Sequence, residues 1–94
     1  MKVTYASSAR DDLDAIRRWI ARDDRKRAIT FVRELQDAAE QIGYGPMHYP
    51  LLEGSRFPGV RRRNHRGYRI LYRVGSDEIV ILNIHHGRRA DSVL

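Results

Sequence analysis

From Tyr68 to Val74 the chain alternates, with Tyr68, Ile70, Tyr72 and Val74 at one parity and Arg69, Leu71 and Arg73 at the other. Period-two recurrence of aromatic and β-branched residues is the pattern of a half-buried strand. Val60 to His65, polar and dense in arginine, reads as the strand before it, and Glu78 to His86 as the strand after it. Ile79, Val80, Ile81, Leu82 and Ile84 fill both faces of that last segment, which places it inside the sheet rather than at an edge. Arg66-Gly67 and Gly75-Ser76-Asp77 are short hairpin connections with glycine available for positive φ, and Gly87 ends the last strand. On simple parity His86 goes with Leu82 and Ile84 as a partly buried residue, whereas His85 goes with Asn83 towards solvent.

The N-terminal half changes period. Lys2 to Tyr5 is a short opening strand. Ala9, Leu13, Ile16 and Ile20 then recur at helical spacing, widened by Ala15 and Trp19, and predict a helix from Ser8 to Ala21. Ser8 and Asp11 have capping-box spacing, with Asp11, Asp12 and Asp14 expected in the first turn, where the helix dipole favours negative charge. After Arg22-Asp23-Asp24, with an Asp as N-cap, Ala28, Phe31, Val32, Leu35, Ala38, Ala39 and Ile42 predict a second helix from Arg25 to Ile42. Gly43 and Gly45 offer a left-handed C-cap and Pro46 forbids continuation. So brief a connection makes the two helices an antiparallel hairpin.

Residues 43–58 hold three glycines and three prolines and read as one long loop, a length usually kept for function or mobility. Met47, Tyr49, Leu51 and Leu52 are expected to pin it to the core. The order is β-α-α-β-β-β in a single domain, residues 1–94. The helices need the Tyr68/Ile70/Tyr72/Val74 face to cover their apolar stripes. The fold class is therefore α+β, two-layer, with a helical hairpin on one face of a mostly antiparallel four-stranded sheet. The opposite face is left open, and Arg69 and Arg73 point there.

Charge sharpens this picture. The formal net charge is +6, and the basic residues are sixteen arginines against two lysines. Residues 1–42 carry nine Lys/Arg and eight Asp/Glu, whereas residues 43–94 carry nine arginines and four acids. Arg56 to Arg73 holds seven arginines and no acid. Guanidinium forks suit phosphate and carboxylate, so the cluster points to an anionic partner: RNA, DNA or an acidic protein. There is no cysteine, hence no disulfide framework or thiolate metal site. The four histidines lack ligand spacing with carboxylates, and neither metal nor cofactor is expected. The longest apolar runs fall far short of a membrane span, which makes a cytoplasmic protein the default expectation.

The element order, the strand Gly67-Tyr68-Arg69-Ile70-Leu71-Tyr72-Arg73-Val74 and the strand end Ile84-His85-His86-Gly87-Arg88-Arg89 together resemble the RelE/ParE superfamily of type II toxin–antitoxin toxins. The resemblance covers essentially the whole chain. It implies a toxin silenced by a cognate antitoxin whose C-terminal segment wraps it, in a hetero-oligomer. RelE-like members are ribosome-dependent mRNA endonucleases, and ParE-like members inhibit DNA gyrase. On the RelE pattern, Arg69 and Arg89 match the motif arginines, with Arg62 assisting from the preceding strand, but the C-terminal tyrosine of that branch has no counterpart after Arg89. Cleavage through a 2′-hydroxyl needs a base as well as a cation, and arginine stays protonated. Tyr68 and Tyr72 have core parity, His65 reads as a surface residue, and His48 sits in the long loop with no partner apparent. The helix Asp14 to Asp23, with Trp19 and an Ala-Arg-Asp turn, resembles the ParE branch, as does the Pro-containing loop.

The ParE-like reading therefore leads: a toxin that blocks gyrase without catalysis of its own. The endonuclease using Arg69, Arg89 and Arg62 is the alternative, and a plain nucleic-acid module the third. Residues assigned to target or antitoxin binding are Arg61, Arg62, Arg63, Arg66, Arg69, Arg73, Arg88, Arg89 and Trp19. The expected antitoxin segment is acidic, amphipathic and folds on binding. Ile20 and Leu51 are further candidates for its groove, and Val93 and Leu94 for docking.

Overall fold

The helical periodicity becomes two helices, α1 (Ser7–Ala21) and α2 (Arg25–Gln41), preceded by β1 (Lys2–Tyr5) and followed by β2 (Val60–His65), β3 (Tyr68–Val74) and β4 (Glu78–His86). A computed structural model describes residues 1–54, 56 and 58–87. The sheet order is β1-β4-β3-β2, antiparallel except that β1 runs parallel to β4. Both helices lie on one sheet face, giving the expected two-layer α+β architecture. The core joins Ala9, Leu13 and Ile16 of α1 and Phe31, Leu35 and Ala38 of α2 to Ile70, Tyr72, Ile79, Ile81 and Ile84 of the sheet. Each fully buried Ile or Leu contributes about 1.5–3 kcal/mol of hydrophobic stabilisation.

The start of α1 departs from the capping box. The helix begins at Ser7, its N-cap Ala6 gives no side-chain hydrogen bond, and no acid lies in the first turn. The cause is the edge of β4. Pairing with β1 stops at Tyr5 opposite Ile81, so the next polar groups of that edge need other partners. Ser8 Oγ donates to the Leu82 carbonyl at 2.6 Å, and Asp12 Oδ2 accepts from the Ile84 N–H at 2.8 Å and from Asn83 Nδ2 at 3.3 Å. The side chains suited to capping instead tie α1 to the sheet. Asp24 does cap α2, accepting from the Arg27 N–H at 3.0 Å.

At its C-terminus α2 ends without a left-handed glycine, because neither Gly43 nor Gly45 has positive φ. The chain tightens into a 3-10 turn at Ile42–Tyr44 and a second at Pro46–His48. Gly43 has a different reason to be glycine: a Cβ there would lie 2.5 Å from the Met1 carbonyl oxygen. Positive φ is used at the β2–β3 turn, where Arg66 has φ 48° and Gly67 φ 85°, a primed two-residue turn matched to the strand twist. The Gly75 turn does without it and closes by a Gly75 N–H to Glu78 carbonyl bond of 2.8 Å.

A β-bulge reorders β4. Tyr72 faces Ile81 but Leu71 faces Asn83, leaving Leu82 as the extra residue. Parity therefore shifts along the strand: Ile79, Ile81, Ile84 and His86 share the helix-covered side, and Val80, Asn83 and His85 the other. The expected roles of the two histidines are exchanged, His85 being buried at 7% exposure and His86 exposed. The second sheet face is free of helices but not bare. Leu52, Val60 and Leu71 form a small buried cluster there, with Leu82 packed against it.

Candidate functional site

The register of β2 on β3 divides the arginine run. Val60, Arg62 and Asn64 pair with Arg73, Leu71 and Arg69, and these positions occupy the helix-free face. Arg61, Arg63 and His65 pair with Tyr72, Ile70 and Tyr68 on the helix-covered face. The sequence expectation of one basic surface is thus corrected: Arg61, Arg63 and Arg66 have intramolecular work. Arg61 Nη1 donates to the Tyr49 carbonyl at 2.7 Å. Arg63 Nη1 donates to the Ala38 carbonyl at 2.6 Å, in the last turn of α2, and its guanidinium lies 5.2 Å from the Tyr49 ring. The Ile42 N–H has turned to Ala39 and Glu40, so Arg63 satisfies a carbonyl at the negative end of the helix. Arg66 Nε lies 3.3 Å from Glu34 Oε1.

Arg62, Arg69 and Arg73 remain together. Arg62 faces Leu71, so Arg69 and Arg73 are its two diagonal neighbours across the seam, about 7–8 Å away each. Arg62 and Arg73 have no ion pair among the described residues. Arg69 lies opposite Asn64 and His85, with its Nε 3.6 Å from the place a Cβ on Gly87 would take. Arg88, Arg89, Val93 and Leu94 lie outside the described residues.

The titratable groups suited to proton transfer are buried or packed against other rings. Tyr72 is fully buried, its hydroxyl donates to the Pro46 carbonyl, and burial pushes its phenol up to about 12. Tyr68 is wedged between Phe31 and His86, with ring centroids 5.4 Å from each. His85 has Nδ1 3.1 Å from the His86 carbonyl and a buried Nε2 without a hydrogen-bond partner. His65 is not a surface residue: it packs against Phe31, with Nε2 3.8 Å from Glu34. Glu34 was not signalled by the sequence, yet it gathers Arg27, His65 and Arg66. The hydrogen bond from Arg27, joined by the charges of Arg27, Arg66 and His65, holds its carboxyl below the usual glutamate range against an opposing desolvation effect. No group of carboxylates and histidines able to hold a metal occurs among the described residues. Among the described residues no helix is long and apolar enough to cross a membrane.

Trp19 sits elsewhere. It is 65% exposed, with the Arg22 guanidinium 5.0 Å from its ring. It helps line a groove of about 430 Å³ between α1 and the end of the sheet, together with Asp12, Ile16, Tyr68, Ile84, His85 and His86. Ile20 packs on the core instead, and Leu51 is 52% exposed. The long connection is fastened by Tyr49 and Leu52, whereas Met47, expected to help, is 66% exposed.

Residues 3–91 match the family described as the ParE toxin of the type II toxin–antitoxin system parDE. The chain belongs to this family. The chromosomal ParDE system of P. aeruginosa contains a chain of the same fold, with TM-score 0.77 and 24% identity over 92% of this chain and 95% of that one. The toxin–antitoxin complex RelBE2 of Mycobacterium tuberculosis gives TM-score 0.69 and 20% identity over 90% and 95%. The YoeB/ParE toxin of Agrobacterium tumefaciens gives 0.66 and 19% over 92% and 98%. Comparison with curated protein sequences gives no match. This is a type II toxin of the RelE/ParE superfamily, a class that is partnered by an antitoxin.

Proposed function

We propose that this toxin arrests growth by binding DNA gyrase and is released from that role by an acidic, ParD-like antitoxin. The observation that carries the reading is the composition of the helix-free face. Arg62, Arg69 and Arg73 gather there, and the histidine opposite Arg69, His85, is buried. Such a face grips an anionic surface. Among the described residues, the histidine on that face is not open to solvent as a base for 2′-hydroxyl cleavage would be. The match to the ParE family supports the same branch. The antitoxin places carboxylates on Arg62 and Arg73 and an apolar side chain in the Trp19 groove, folding as it binds.

The endonuclease reading keeps one observation in its favour: Arg62 and Arg69 do share a face. A gyrase supercoiling assay with purified toxin, run beside mRNA integrity in expressing cells, separates the two. Inhibition of supercoiling with intact mRNA is expected. Unimpaired gyrase with rapid mRNA cutting would overturn the proposal.

A further inference from the structure

The segment between α2 and β2 exposes three large apolar side chains within eight residues: Tyr44 at 93%, Met47 at 66% and Leu51 at 52%. Its backbone is nonetheless fixed from beneath. The Tyr72 hydroxyl donates to the Pro46 carbonyl, and Arg61 Nη1 to that of Tyr49 at 2.7 Å. The Arg62 N–H donates to the Pro50 carbonyl at 3.0 Å, and the Leu52 N–H to that of Val60 at 2.8 Å. Two 3-10 turns and a Leu51–Arg61 bridge make up much of the rest. Exposed apolar groups carried on a fastened backbone have already lost the conformational entropy that association would otherwise remove. That is the arrangement of an interface hot spot rather than of a spacer.

We infer that Tyr44, Met47 and Leu51 form a preordered apolar knob that inserts into an apolar pocket on the folded target protein. The inference rests on the toxin reading and names the surface by which the target is held. Shape separates this partner from the antitoxin. A segment that folds on binding needs a groove to fold into, which the Trp19 site provides. A protruding, rigid knob fits a cavity already formed on a folded protein. Charge describes the rim of that cavity. Arg62 is tied to the loop beside Leu51 through its N–H bond to Pro50 and has no ion pair among the described residues, so the pocket is bordered by carboxylates.

The test is growth of a bacterial host on induction of the wild type and of the variant Tyr44→Ser/Met47→Ser/Leu51→Ser, each with and without the co-expressed cognate antitoxin. Circular dichroism and co-purification with that protein report folding. Wild type is expected to arrest growth and the antitoxin to relieve it. The folded triple variant keeps its antitoxin but binds the target about a hundredfold more weakly, and the cells grow. Tyr44→Ser alone, at a side chain already in solvent, gives the same direction with a smaller loss. Full arrest by the folded variants overturns the knob and leaves the toxin reading intact. A wild type that arrests nothing overturns the toxin reading, and the knob with it. Oligonucleotide binding that survives Tyr44→Phe but not Tyr44→Ser makes the site a base-stacking platform and overturns the protein pocket.

Discussion

Arg61, Arg62 and Arg63 are consecutive in the chain, and the two sheet faces put them to opposite uses. On the helix-covered face Arg61 and Arg63 serve main-chain carbonyls of the loop and of α2. On the helix-free face Arg62 stands with Arg69 and Arg73 beside the Leu52–Val60–Leu71 cluster, and neither Arg62 nor Arg73 has an ion pair among the described residues. The difference shows that a run of like charges along a strand is not one surface. Strand alternation halves it, and the half that meets a helix end becomes structural.

Three changes test that contrast, from the largest effect down. Leu71→Ala removes a fully buried side chain from the face without helices and should cost about 2–5 kcal/mol in urea unfolding. A loss near zero would mean that the second cluster is not a core. Arg63→Ala should cost about 1.5–3 kcal/mol by stripping a carbonyl at the end of α2 of its charged donor. Arg62→Ala, measured the same way, should stay within about 0.5 kcal/mol and weaken partner binding instead. Equal losses for the two arginines would erase the distinction between the faces.

Two tyrosines of the helix-covered face sharpen the comparison further. Tyr72→Phe should cost about 1 kcal/mol, since it leaves the Pro46 carbonyl without its hydroxyl donor. Tyr5→Phe should be neutral or stabilising, because the Tyr5 hydroxyl is buried without a partner, and burial, aided by Glu40 and Asp37, pushes its phenol up to about 12. The smallest effect is a pH dependence at Glu34. Its carboxyl titrates lower in the folded protein than unfolded, so its contribution is complete above the unfolded glutamate value of about 4.3. It fades as pH falls from there through the folded value. Thermal melts from neutral pH down to about 3 should show a shallower acid loss in Glu34→Gln than in wild type.

Much of this was legible in the residues. Apolar spacing placed both helices to within a residue at their ends, and alternation placed β3, because such periods reflect which side chains must leave water. The Arg66-Gly67 turn was legible for a local reason, its positive φ. The errors cluster where a local preference met a distant demand. Ser8 and Asp12 had the composition of a helix start, but the unpaired edge of β4 took their side chains. Parity grouped His86 with Ile84 and His85 with Asn83, as the structure does, yet His86 is exposed at the strand end and His85 is buried on the helix-free face. Met47 and Leu51 were read as anchors and turned out to be presented to solvent.

The sequence by itself determined the elements, their order and the family, since these follow from periodicities and motifs that each segment carries alone. Only the tertiary structure decided which arginines serve internal carbonyls and which share the helix-free face, where Trp19 opens its groove and how the loop before β2 is held. Those outcomes depend on strand register, on the bulge in β4 and on hydrogen bonds between residues far apart in the chain. No local pattern encodes them, because each donor's partner is fixed only when the layers pack.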